Sequence, residues 1–144
     1  MPAQNLSAYL AYLLASANRS MRAGMAQSIA EEAFNEEHWR ILQALSDAQG
    51  RAMGELAEQV LMNHPALTKN VDKLVSAGLI HRAAHASDNR KVLVYITDLG
   101  LATVQRMTQN IDAHHVAIEE ALGARKTEQL KRLLEQFIAE ASPK

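Results

Sequence analysis

The side chains best suited to chemistry in this chain are hydrogen-bond donors and cations rather than nucleophiles. In HPALTKNVDKLV, beginning at His64, a helix would bury Leu67, Val71, Leu74 and Val75 and leave His64, Ala66, Thr68, Lys69, Asn70 and Lys73 outside. Asn and Lys can hydrogen-bond base edges in a DNA major groove, and Thr and Ala can touch a thymine methyl. A helix start at Pro65 also aims free N–H groups at phosphate. Further along, Asp88, Arg90 and Lys91 form a second polar group. An arginine there suits a narrow minor groove, and an acid two residues away can hold it in place.

Net charge first argues against a nucleic-acid partner. The 144 residues carry 15 basic and 16 acidic side chains, a net charge of −1. Between His64 and Lys91, however, five bases stand against two acids, a local +3 that leaves −4 on the remainder. That is the footprint expected where one face meets phosphates. An ordinary solvated face gives the same count, so charge alone leaves both readings open.

Catalysis finds little support. The chain has no cysteine, which excludes a disulfide framework, a thiolate zinc site, a CxxC redox pair and a cysteine nucleophile. There is no HExxH, GxSxG, P-loop or dinucleotide fingerprint, and Ser87-Asp88-Asn89 has no accompanying SxxK or KTG. The adjacent His114 and His115 would point ~100° apart on a helix and do not chelate as an i, i+4 pair does. No enzyme activity, cofactor or bound metal is expected. The apolar stretch Leu6–Ala17 lacks a basic leader and is too short to span a bilayer of ~30 Å, so it reads as a core or dimer helix of a cytoplasmic protein with no membrane partner.

The elements that must position these residues follow from periodicity. Apolar residues at three- and four-residue steps from Leu6 to about Glu32 predict one long helix. Asn35 caps a second, which ends near Gly50, and Met53–Val60 forms a third. After a turn at Leu61–Asn63, with Asn63 or His64 as cap, Pro65 takes the first position of a helix that stops at Gly78. The period then changes to two: Leu79–Arg82, a turn over His85–Asn89, and Lys91–Ile96 make a hairpin. Thr97 and Asp98 cap a helix to about Leu122, Gly123 breaks it, and Lys126–Ala141 forms the last. The fold class is mainly α with a small β-hairpin.

This order resembles the MarR family of winged helix-turn-helix transcription regulators. The matching segments are HWRILQAL from His38, ELAEQV from Glu55, LTKNVDKLVSAGLIHR from Leu67 and DNRKVLVYITDLG from Asp88. The D-x-R wing motif falls on Asp88 and Arg90, G-L-[IV]-x-R on Gly78–Arg82, and L-T-x-x-G on Ile96–Gly100. The resemblance implies an N-terminal dimerisation helix (1–34), a winged helix-turn-helix domain (35–100) and C-terminal dimerisation helices (101–144). It implies a homodimer on a pseudo-palindromic double-stranded operator, a repressor being the expected sign. Thr68, Lys69, Asn70 and Lys73 would face bases and phosphates, Arg90 would enter the minor groove, Asp88 would orient it, and Arg82 would support the same network. His64 and Pro65 depart from the small or polar residues common at their positions.

The family usually responds to a small molecule, often an aromatic carboxylate or phenol, where dimer helices meet the DNA-binding lobe. The candidate lining is Tyr9, Tyr12, Ser16 and Arg19 from the first helix with His38, Trp39 and Arg40 from the second, and Arg19 or Arg22 would anchor the carboxylate. Tyr12, Ser16 and Arg19 share a helix face by their spacing. Some members sense zinc, and Glu37 and His38 sit where such sensors place ligands. A metal-responsive regulator, or a dimeric module that does not bind DNA, is therefore the alternative. The missing cysteine removes the thiol-oxidation switch that some relatives use.

Overall fold

The computed structural model describes residues 5–85 and 87–143. A single 3-10 turn, Leu6–Ala8, precedes α1 (Leu10–Ser28), α2 (Glu36–Ala44), α3 (Met53–Val60), α4 (His64–Ser76), β1 (Ile80–His85), β2 (Asp88–Ile96), α5 (Asp98–Leu122) and α6 (Ala124–Ala141). The mainly helical architecture with one antiparallel hairpin is as expected.

Several boundaries move, each for a local reason. The long first helix is interrupted at Tyr9, which is extended at φ −93° and ψ 131°. Leu6, Leu10 and Leu13 around the break are about half or more exposed, so no packing energy extends the helix through a costly nucleation step. At its other end Ser28 Oγ donates to the Met25 carbonyl at 2.7 Å, and the chain leaves the helix before Glu32. Helix α2 stops at Ala44, well before Gly50: Ser46 Oγ donates to the Gln43 carbonyl at 2.7 Å and Ala48 turns left-handed at φ 64°. Asn63 is the cap of α4, its Oδ1 accepting from the Ala66 N–H at 2.9 Å, so Pro65 is the second helical residue rather than the first. Of the expected turn, Ala86 lies outside the described residues, and β2 already begins at Asp88.

The core of the central lobe is made by Ile41, Leu42, Leu45, Leu56, Leu67, Val71, Leu74 and Val94, with a smaller cluster of Met25, Ile29, Met107 and Ile111 between α1 and α5. Phe34 and Trp39 pack against both, so the two are mechanically joined. In the hairpin Ile80 pairs with Ile96 and Arg82 with Val94, and Arg51 adds a backbone bridge to Val94. Gly78, at φ 78°, ends α4, and Thr97 closes the corner: its hydroxyl donates to the Gly78 carbonyl at 2.7 Å and accepts from the Gly100 N–H at 3.0 Å. A Cβ at Gly100 would run into the Leu79 carbonyl oxygen, so the start of α5 lies directly on the base of β1. Helix α5 is unbroken across position 100, where the sequence suggests a domain boundary.

The two ends of the chain remain apolar at the surface. Leu6, Tyr9, Leu10, Tyr12 and Leu13 are exposed at one, and Leu130, Leu133, Phe137 and Ile138 at the other. Thr127 is the only buried residue of α6. Among the described residues no helix is long and apolar enough to cross a membrane, and no three His, Asp or Glu side chains gather as a metal site.

Candidate nucleic-acid interface

Helix α4 is held against the lobe by Leu67, Val71 and Leu74, all fully buried. That row fixes which side chains point outward. His64, Pro65, Thr68, Lys69 and Lys73 are exposed, whereas Ala66 and Asn70 are half-buried. Asn70 differs most from expectation. Its Nδ2 donates to Glu37 Oε2 at 3.3 Å and approaches Met62 Sδ at 3.8 Å, so the amide faces α2 rather than the open side. Positions three residues beyond Leu67 and four before Leu74 lie at the edge of the buried stripe. That phase is legible in the sequence and was the signal available.

At the hairpin tip Asp88 Oδ1 accepts from the Arg90 N–H at 3.0 Å and stands 3.5 Å from Arg90 Nε. The Arg90 side chain is 95% exposed and Lys91 is exposed beside it. Arg82 is corrected: it does not join Asp88 and Arg90 but pairs with Asp72, tying β1 to α4. Sequence reasoning missed Glu37 and Asp72 as partners, since each lies far along the chain from the residue it meets.

The expected effector lining is not brought together within one chain. Tyr9, Tyr12, Ser16 and Arg19 are exposed on the N-terminal arm. The three residues from α2 make hydrogen bonds within the chain. His38 is buried, and its Nδ1 accepts from the Asn35 N–H while Asn35 Oδ1 accepts from the His38 N–H, both at 3.0 Å. Trp39 Nε1 donates to Thr108 Oγ1 at 3.0 Å. Arg40 donates to Glu36 Oε1 at 2.6 Å and to the Val60 carbonyl at 2.9 Å, holding the end of α3. Arg22 is also engaged, 3.4 Å from Glu37 Oε1. Burial pushes the His38 imidazole below its ordinary pKa and the Lys73 charge pushes the same way, against the opposing pull of Asn70 and Glu37. A hollow of about 210 Å³ between α1, α2 and α4 has Ile29 and Phe34 as apolar wall and His38 and Lys73 as polar wall. His38 is the one member of the predicted lining there.

The arrangement matches known proteins. A sequence profile of the MarR family matches residues 34–92. The homoprotocatechuate degradative operon repressor of Escherichia coli is 31% identical over 106 residues, covering 74% of this chain and 72% of that protein. Among solved structures, the transcriptional repressor CouR bound to a 23-mer DNA duplex is 25% identical and superposes with a TM-score of 0.85 over 95% of this chain and 97% of its own. NadR in complex with 4-hydroxyphenylacetate is 28% identical, with a TM-score of 0.79 over 95% and 97% of the two chains. An exposed polar helix beside a hairpin with an acid-held arginine, together with these likenesses in sequence and fold, identifies the chain as a member of the MarR family.

Proposed function

We propose that this protein is a homodimeric, non-enzymatic transcriptional repressor that binds a pseudo-palindromic DNA operator and is released by a small aromatic or phenolic acid. The observation that carries the reading is the joint exposure of Thr68 and Lys69 on α4 and of Arg90, fixed by Asp88, on the hairpin, within a locally basic segment of a chain whose remainder is net acidic. In the complex α4 lies in the major groove, with His64, Thr68, Lys69 and Lys73 toward bases and phosphates, and Arg90 and Lys91 reach the flanking minor groove. The apolar faces of the N-terminal arm and α6 support dimerisation, because patches of this kind on two ends of one subunit are covered in a two-fold assembly.

The effector class is supported by the relatives: one represses a homoprotocatechuate degradative operon and another holds 4-hydroxyphenylacetate. With His38, Trp39 and Arg40 engaged internally, the exposed Tyr12, Ser16 and Arg19 are assigned to a cleft completed in the dimer, Arg19 taking the carboxylate. Release is a population shift: an effector that prefers dimers with misplaced reading helices lowers DNA affinity by its differential binding.

Selection from a randomised duplex library, followed by titration with 4-hydroxyphenylacetate, tests this reading. A two-fold symmetric consensus whose complex the acid dissociates supports it. A protein that enriches no sequence is the dimeric module without DNA binding. An Arg19→Ala homodimer should keep operator affinity within about twofold and lose the response to the acid; retention of the response removes Arg19 from the site.

A further inference from the structure

On either side of the exposed face of α4 stands one polar brace to the rest of the subunit. On the side of α2, Asn70 Nδ2 donates to Glu37 Oε2 at 3.3 Å. On the side of the hairpin, Asp72 pairs with Arg82 of β1. Residues two apart on a helix differ by ~200° in direction, so the two braces leave α4 from nearly opposite sides, with Lys69 between them on the outer face. Apolar packing beneath the helix holds its distance from the lobe. Leu67, Val71 and Leu74, with half-buried Val75 beside them, all lie on that one face, so the polar braces are what reach the helix from its two flanks.

Glu37 is suited to anchor one brace. Its second carboxylate oxygen, Oε1, lies 3.4 Å from Arg22 Nη2, so the carboxylate is held from α1 while it receives Asn70 from α4. Its backbone sits in the first turn of α2, fixed by the reciprocal hydrogen bonds of Asn35 and His38 at 3.0 Å. The required precision is high. A roll of 20° moves a group lying ~5 Å from the helix axis by roughly 2 Å, which is more than a bidentate hydrogen bond to a base edge tolerates.

On the DNA-binding reading above, we propose that Asn70 is a positioning residue rather than a base-reading one: with Glu37 it forms one side of a clamp that sets the roll of the reading helix, and Asp72 with Arg82 forms the other. Such half-exposed contacts contribute little to global stability. Their effect lies in specificity, since a rolled helix loses base contacts while its cations still find phosphates.

The test uses the full-length homodimer, the tightest duplex selected by the wild type, and poly(dI-dC) as the non-specific competitor. Glu37→Ala and Asn70→Ala should each weaken the selected duplex about tenfold or more and leave poly(dI-dC) affinity within about twofold, with thermal melting little changed. The double variant should lose clearly less than the sum of the two single losses, because both remove the shared Glu37–Asn70 contact. Glu37→Gln, which keeps an acceptor oxygen, should restore most of the affinity and guards against a mere folding defect. Additive losses, an Asn70→Ala effect confined to one base pair, or a Glu37→Ala protein that binds like the wild type would each overturn the clamp while leaving the DNA-binding reading intact. Failure of the wild type to select any duplex overturns that reading and the clamp with it.

Discussion

Arg90 shows how a single side chain can be both free and directed. Its guanidinium is almost wholly exposed, yet Asp88 holds its backbone N–H and lies near Nε, which would reduce the entropy lost in the groove contact proposed for it. Arg90→Ala should weaken operator binding about tenfold or more in the dimer and lower the slope of log affinity against log salt by ~1 for each wing, measured by fluorescence anisotropy. Unchanged affinity would remove the hairpin from the interface. His38 makes a pH prediction. Its folded pKa lies below the ordinary value of 6.5, so the folded state favours neutral imidazole and the unfolded chain takes up a proton first as pH falls. Stability is therefore full above about pH 6.5 and declines below it, and a protonated Nδ1 could no longer accept from the Asn35 N–H. Urea denaturation at pH 5.5 and 7.5 should show a smaller difference for His38→Gln than for the wild type; an equal difference would contradict the assignment.

At the scale of the element, corners and caps do the positioning. Gly100→Ala would force a methyl against the Leu79 carbonyl and should destabilise by about 1–3 kcal/mol, read from denaturant midpoints. Asn63→Ala removes the cap of α4 and should cost about 1 kcal/mol. Much of this scale was legible in the sequence: the Asn35 cap, the α3 span, Gly78 and the Thr97 corner all follow from local side-chain chemistry. The break at Tyr9 and the early end of α2 were not, because apolar periodicity continues through both. What ends those helices is missing packing at one and a backbone-bonded Ser46 with a left-handed Ala48 at the other. The site was legible where phase alone decides exposure, as at Thr68 and Lys69. It was not legible where a partner far along the chain decides: phase marks Asn70 as an edge position but does not reveal Glu37, and spacing reveals neither Asp72 for Arg82 nor Thr108 for Trp39.

At the scale of the whole molecule, charge and apolar surface are divided by task. A basic segment lies in α4 and the hairpin, and the net acidic excess of the remaining residues disfavours indiscriminate coating of DNA. The exposed Leu130, Leu133 and Phe137 of α6 belong to the proposed dimer, so Leu133→Asp with Phe137→Asp should give a monomer by sedimentation equilibrium and lose tight operator binding. A dimer that survives both changes would place the interface elsewhere. Because a two-fold axis sets the separation of the reading helices, the operator is expected to carry half-sites about 10 base pairs apart centre to centre. The most direct measurement is the affinity of the wild-type homodimer for its selected duplex and for a scrambled duplex across a salt series. Sequence-specific recognition predicts tighter binding to the selected duplex by about 10³-fold or more, with steep salt dependence in both; equal affinity for the two duplexes at every salt concentration would contradict it.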